Sequence, residues 1–103
     1  MSARAPDDAR LALEARWLVL TRNTLPALAR ERRWPIALDH CFQRVLLDNA
    51  CEGRWTDTIA RPAYRNAPDR LLERAIALGE KVVAGYGDLH ALNACSLSWR
   101  GKR

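Results

Sequence analysis

With 103 residues, of which 49% are apolar and 28% charged, the chain is long enough to bury roughly 65% of its unfolded surface around one core. It contains no run of about 18 apolar residues, and its opening Met-Ser-Ala-Arg-Ala-Pro-Asp-Asp lacks the apolar centre of a secretion signal, so neither membrane insertion nor export is expected and the expected location is the cytoplasm. Formal charge is +5; eight Arg against seven acids leave residues 1–52 at +1, and nine Lys or Arg against five acids leave residues 53–103 at +4, a bias that favours an anionic partner.

Residues 1–6 read as a short disordered tail that ends at Pro6, with Asp7 or Asp8 placed to cap a helix. From there to about Arg22 the chain is rich in strong helix formers. Leu13, Trp17 and Leu20 form one apolar row and Leu11, Ala15 and Leu18 another, which predicts a heavily buried helix. Asn23-Thr24-Leu25-Pro26 supplies a cap and a first-turn proline, so a break is expected there. A short helix to about Arg33 follows, and Arg30, Arg32 and Arg33 in its last turn complement the carbonyl end of that helix.

The stretch from Trp34 to Trp55 organises the rest. Pro35 suits a first helical turn and Gly53 the left-handed position past a helix end, which predicts one helix over about residues 35–52. At 100° per residue, Leu38, Cys41, Phe42, Val45, Leu46 and Asn49 gather on one side and Ile36, His40, Leu47 and Cys51 on the other. Only Asp39, Gln43 and Ala50 are left for water, and a helix apolar on two sides is packed between others. His40, Arg44 and Asp48 follow at i, i+4, i+8, so Arg44 can lie between an imidazole and a carboxylate. Asn49 projects from the apolar side and needs a hydrogen-bond partner.

Residues 53–68 are the least regular segment, with a single turn capped by Thr56 or Asp57. Arg54, Arg61 and Arg65 interleave there with Trp55 and Tyr64, the composition with which proteins grip single-stranded nucleic acid; the same aromatics also suit a connector pinned to the core. Residues 66–84 give the clearest helix, with Pro68 in the first turn, Gly85 past the end, a stripe of Leu71, Leu72, Ala75, Ile76, Leu78, Val82 and Val83, and Arg70, Arg74 and Lys81 outside among Glu73 and Glu80. Asp88 caps a last helix through about Trp99, with Leu89, Leu92, Cys95, Ser96 and Trp99 inward and Asn93 near enough to partner Asn49. Residues 100–103 read as a frayed basic tail. No strand pattern, repeat or low-complexity block occurs. The expected fold is all-α: a compact bundle of four or five helices around the helix of residues 35–52, in one domain over residues 7–99.

The three cysteines, Cys41, Cys51 and Cys95, are odd in number and follow no disulfide pattern. With His40 and His90 they show none of the close spacing that builds a zinc site, and Cys41 diverges by 100° from its neighbour His40. Phosphate-loop and dinucleotide patterns are missing, the five glycines being assigned to helix ends. The last two helices make a poor helix-turn-helix, because the second is without basic residues before Arg100. Neither metal nor cofactor is expected.

The run Leu38-Asp39-His40-Cys41-Phe42-Gln43-Arg44-Val45-Leu46-Leu47-Asp48-Asn49, with Arg54-Trp55, Pro62-Ala63, Leu92-Asn93, Ser96-Leu97 and Arg100-Gly101-Lys102, resembles a group of short bacterial proteins over about two-thirds of the chain. Some of that group carry an acetyltransferase label of the GNAT superfamily. The resemblance implies that His40, Cys41, Arg44, Asp48, Asn49 and Trp55 match the group's motif. It does not carry acetyl-CoA over, since a GNAT domain needs strands and a pyrophosphate turn that are missing here.

The leading expectation is a non-enzymatic binding or adaptor protein with DNA or RNA as partner and Arg54, Arg61, Arg65, Arg70, Arg74 and Lys81 as phosphate contacts. The rivals are a protein-interaction module or homodimer, and a small acyltransferase-like or ligand-binding protein centred on His40, Arg44 and Asp48.

Overall fold

The computed structural model describes residues 7–101, which hold helices and no strand. The tail expected over residues 1–6 lies outside them, as do Lys102 and Arg103. Six α-helical segments follow in order: α1 (Asp8–Val19), α2 (Leu25–Arg32), α3 (Asp39–Cys51), the single turn α4 (Ala63–Asn66), α5 (Asp69–Ala84) and α6 (Leu89–Trp99). The all-α bundle around a central helix is therefore what forms. Helix α3 packs against α5 on one side and α6 on another, and α1 with the segment after it closes over both α3 and α5.

Asp7 caps α1 by accepting from the Arg10 amide at 2.8 Å. Of the two apolar rows on α1 only Leu13, Trp17 and Leu20 are buried, while Leu11 and Ala15 face solvent and Leu18 is half-buried. The row that meets α3 and α5 is the one that has partners. The break expected at Asn23–Pro26 is a π-helical segment, Leu20–Thr24, that joins α1 to α2 without interruption. Pro26 has no N–H and its ring crowds the carbonyl four residues back, which a wider turn relieves. The Leu25 amide accordingly reaches back five residues to Leu20. Thr21, wholly buried, donates to the Trp17 carbonyl and accepts from Gln43 Nε2, tying this segment to α3.

Helix α3 starts four residues later than its sequence suggests. Leu38 stands at its N-cap in extended conformation and is 58% exposed, with Pro35 and Ile36 in the preceding loop. The Asp39 carboxylate, accepting from the His40 amide, supplies an acidic first turn. At the other end Glu52, not Gly53, takes the left-handed position (φ 56°). Ala50, expected toward water, is buried, and its carbonyl accepts from Arg74 Nη1. Asn49 donates to the carbonyls of Val45 and Leu92, so its partner is the α6 backbone rather than the Asn93 amide.

Helix α5 ends as expected at Gly85 (φ 87°). Its last carbonyls are also met from outside: Arg32 Nη1 lies 3.2 Å from the Val83 carbonyl. That arginine stands in the last turn of α2, as expected, and also meets the carbonyl end of α5. Gly79 sits in the middle of α5, not at an end. A Cβ there would stand 2.6 Å from Leu20 Cδ2 and 3.0 Å from Leu46 Cδ1, so the missing side chain lets three helices close on one another. Gly79→Val is expected to lose about 1–3 kcal/mol through overpacking, despite the roughly 1 kcal/mol by which glycine is a poor helix former. A urea midpoint at or above that of the parent would show that the core can yield there.

Among the described residues no helix is long and apolar enough to cross a membrane. Cys95, expected inward on α6, is exposed, and Trp99 is 37% exposed. Leu89 and Ser96 are the buried positions of that helix, because α6 meets α3 with its polar Ser96 row.

Candidate anion-binding cleft

The polar heart of the molecule is the Asp48 side chain, 0% exposed beneath the C-terminal end of α6. One oxygen, Oδ2, accepts from Arg100 Nε at 2.7 Å and from Ser96 Oγ at 2.7 Å; the other, Oδ1, accepts from Arg100 Nη2 and from the Trp55 amide, both at 3.0 Å. Burial by itself would raise this carboxyl, but the Arg100 fork, the Trp55 amide and the Ser96 hydroxyl together hold it below the ordinary carboxylate value. Donating to the Asp48 carboxylate raises the Arg100 guanidinium in turn. Arg100 thus belongs to the core of the structure rather than to a frayed tail.

Ser96 extends the chain of bonds one step further. Its Oγ accepts from Arg44 Nη1 at 2.6 Å while donating to Asp48, and Asn93 Oδ1 accepts from Arg44 Nη2 at 2.9 Å. Arg44 is thereby held by two neutral groups instead of lying between His40 and Asp48. His40 is 73% exposed at the side chain and stands near Asp39. The i, i+4, i+8 row is real as a spacing, but only its two inner members share a network.

Above this network lies a cleft of about 590 Å³. Trp17 and Leu47, both buried, form part of its lining; Arg22 enters from the π-helical segment, and His40, Gln43 and Arg44 from α3. A 3-10 turn, Trp55–Asp57, supplies Trp55 and Thr56, the connector and α4 supply Arg61, Pro62, Ala63 and Tyr64, and Arg100 completes the wall. Arg61 lies over the Trp55 ring at 5.8 Å from its centroid. Among the described residues no carboxylate lines the cleft. Arg100 is balanced by Asp48, whereas Arg22, Arg44 and Arg61 pair with no acid among the described residues. Such a site attracts anions, because uncompensated guanidinium groups beside low-dielectric walls focus the field into the concavity.

Of the six cations named from the sequence as phosphate contacts, only Arg61 is in this cleft. Arg54 forks onto Asp57, Arg65 lies over the Tyr64 ring, and Arg74 serves the Ala50 carbonyl. Arg70 and Lys81 stand exposed on α5. Of the motif residues, His40, Arg44 and Trp55 line the cleft and Asp48 lies under it, while Cys41 is half-buried and Asn49 braces α6. Sequence reasoning missed Arg22, Gln43 and Arg100. Ser96 and Arg100 stand four residues apart, and this spacing was the available signal for a shared face; nothing local distinguishes Arg22.

Among the described residues no three His, Cys, Asp or Glu side chains gather as a metal site would require. Cys51 lies outside the cleft, and burial pushes its thiol up, away from the reactive thiolate. No protein-family model, curated protein or solved structure matches the chain.

Proposed function

We propose that the protein is a non-enzymatic binding protein for nucleic acid in single-stranded form, engaged through the cleft rather than through the outer face of α5. The observation that carries this reading is the lining itself: Arg22, Arg44 and Arg61 without acid partners, interleaved with Trp55 and Tyr64. Cations of this kind track phosphates, and aromatic or guanidinium planes accept bases. Of the residues that carry the resemblance to short bacterial proteins, His40, Gln43, Arg44, Trp55, Pro62, Ala63 and Arg100 line this cleft, and Asn93 and Ser96 bond Arg44, which supports the reading. Duplex DNA suits it less, since among the described residues the exposed cations of α5, Arg70 and Lys81, stand among the exposed acids Glu73 and Glu80.

A labelled single-stranded oligonucleotide should bind with a salt slope of about −2, the value for three neutralised phosphates on a single strand. Arg61→Ala should reduce that slope by about 0.7, while Arg70→Ala and Lys81→Ala on α5 leave it unchanged. Binding that does not respond to salt, or that tracks the α5 residues instead of Arg61, counts against the cleft.

A further inference from the structure

We infer that the cleft recognises a terminal phosphate, a phosphomonoester, in preference to the phosphodiesters within a strand. The inference rests on the anion-binding reading above and makes it specific. Arg44 has five N–H donors in a fixed fork; one each on Nη1 and Nη2 goes to Ser96 and Asn93, leaving three, and none of the five meets a carboxylate among the described residues. The two bonded groups are neutral, so the charge of the guanidinium is intact while its orientation is fixed. That orientation is held at one remove by Asp48, which accepts a hydrogen bond from the Ser96 hydroxyl and is itself saturated by Arg100 and the Trp55 amide. A pre-oriented guanidinium with spare donors suits a planar or tetrahedral oxyanion and accepts it with little ordering of its own.

Charge and shape select the form of phosphate. Three uncompensated arginines line one concavity, and a monoester brings about −1.5 to −2 charge and three acceptor oxygens, against one charge for a diester. The buried Trp17 and Leu47 belong to the lining, with α1 and α3 behind them, so protein closes the back of the cleft and a strand end can be seated against it. A volume of about 590 Å³ falls in the range of small-molecule sites and is enough to seat a terminal nucleotide. One chemistry, the phosphomonoester, is shared by a free mononucleotide and by a phosphorylated strand end.

The test compares one short oligonucleotide carrying a 5′-phosphate, a 3′-phosphate or hydroxyls at both ends, by anisotropy at fixed salt, with a nucleoside 5′-monophosphate and inorganic phosphate as competitors. One phosphorylated end should bind about tenfold tighter than the hydroxyl-ended strand, the scale of one further charge-assisted contact. Arg44→Gln and, independently, the exposed Arg22→Gln should erase that difference, with circular dichroism of both variants unchanged. Equal binding of phosphorylated and hydroxyl-ended strands, still salt-dependent, overturns the terminal-phosphate inference and leaves the nucleic-acid reading in place. Displacement by the mononucleotide at equal concentration supports the inference and makes the free nucleotide the ligand. Failure of every probe to bind overturns both.

Discussion

Asp48→Ala is expected to destabilise the protein by about 3–5 kcal/mol, because removing one partner of a buried ion pair leaves the rest uncompensated. The Trp55 amide and the Ser96 hydroxyl lose their acceptor, and Arg100 loses its counter-charge. On a domain of this size each kcal/mol corresponds to roughly 4–8 °C in Tm. The same pair sets the response to acid. In the folded chain Asp48 holds its proton more weakly than the ordinary carboxyl value of 3.8, so in acid the unfolded chain binds more protons and stability falls. The contribution is complete above that ordinary value and is lost as pH drops through the lower folded one. Arg100→Gln removes the hydrogen-bonding cation, lets burial raise the carboxyl, and moves the acid unfolding transition to higher pH. Thermal melts between pH 2 and 7 read both effects; an Arg100→Gln curve superimposable on the parent's would show that the pair does not stabilise the fold.

Arg10→Ala is expected to cost about 2–4 kcal/mol and to loosen the cleft wall. Arg10 Nε bonds Glu14 at 2.8 Å, Nη1 bonds Asp69 at 2.6 Å, and Nη2 reaches the carbonyls of Tyr64 and Ala67 at 3.0 and 2.7 Å. One side chain on α1 thus fixes the connector that delivers Pro62, Ala63 and Tyr64 to the cleft. Without it Glu14, a buried carboxylate, keeps among the described residues only Arg65 at 3.8 Å. Hydrogen exchange should quicken at the amides of residues 63–67 before it changes in α3 or α5. Uniform exchange across the chain would assign Arg10 a purely global role.

The same comparison separates stabilisation from binding. Asp48 and Arg10 variants lose stability first and binding only through the cleft wall or through Arg44, whereas Arg22→Gln leaves the fold untouched. Arg22 is exposed and bonds to no other element among the described residues.

The sequence by itself determined the helical class and some of the element ends. Apolar periodicity and terminal residues act within a few positions of one another, so Asp7, Asp88 and Gly85 marked helix ends where they stand. The buried rows of Phe42, Val45 and Leu46 and of Leu72, Ala75 and Ile76 followed from the same spacing. The tertiary structure alone decided which of two apolar rows on α1 found a partner, that Pro26 widens a continuous helix instead of ending one, and that Gly79 marks a close approach of helices. It also decided the cleft. Charge and hydrogen bonding depend on distance in space, so Asp48 and Arg100, 52 residues apart, could become a pair only through the packing of α6 on α3. Composition counted the arginines correctly, but which of them are left without an acid is settled by neighbours that no local pattern specifies.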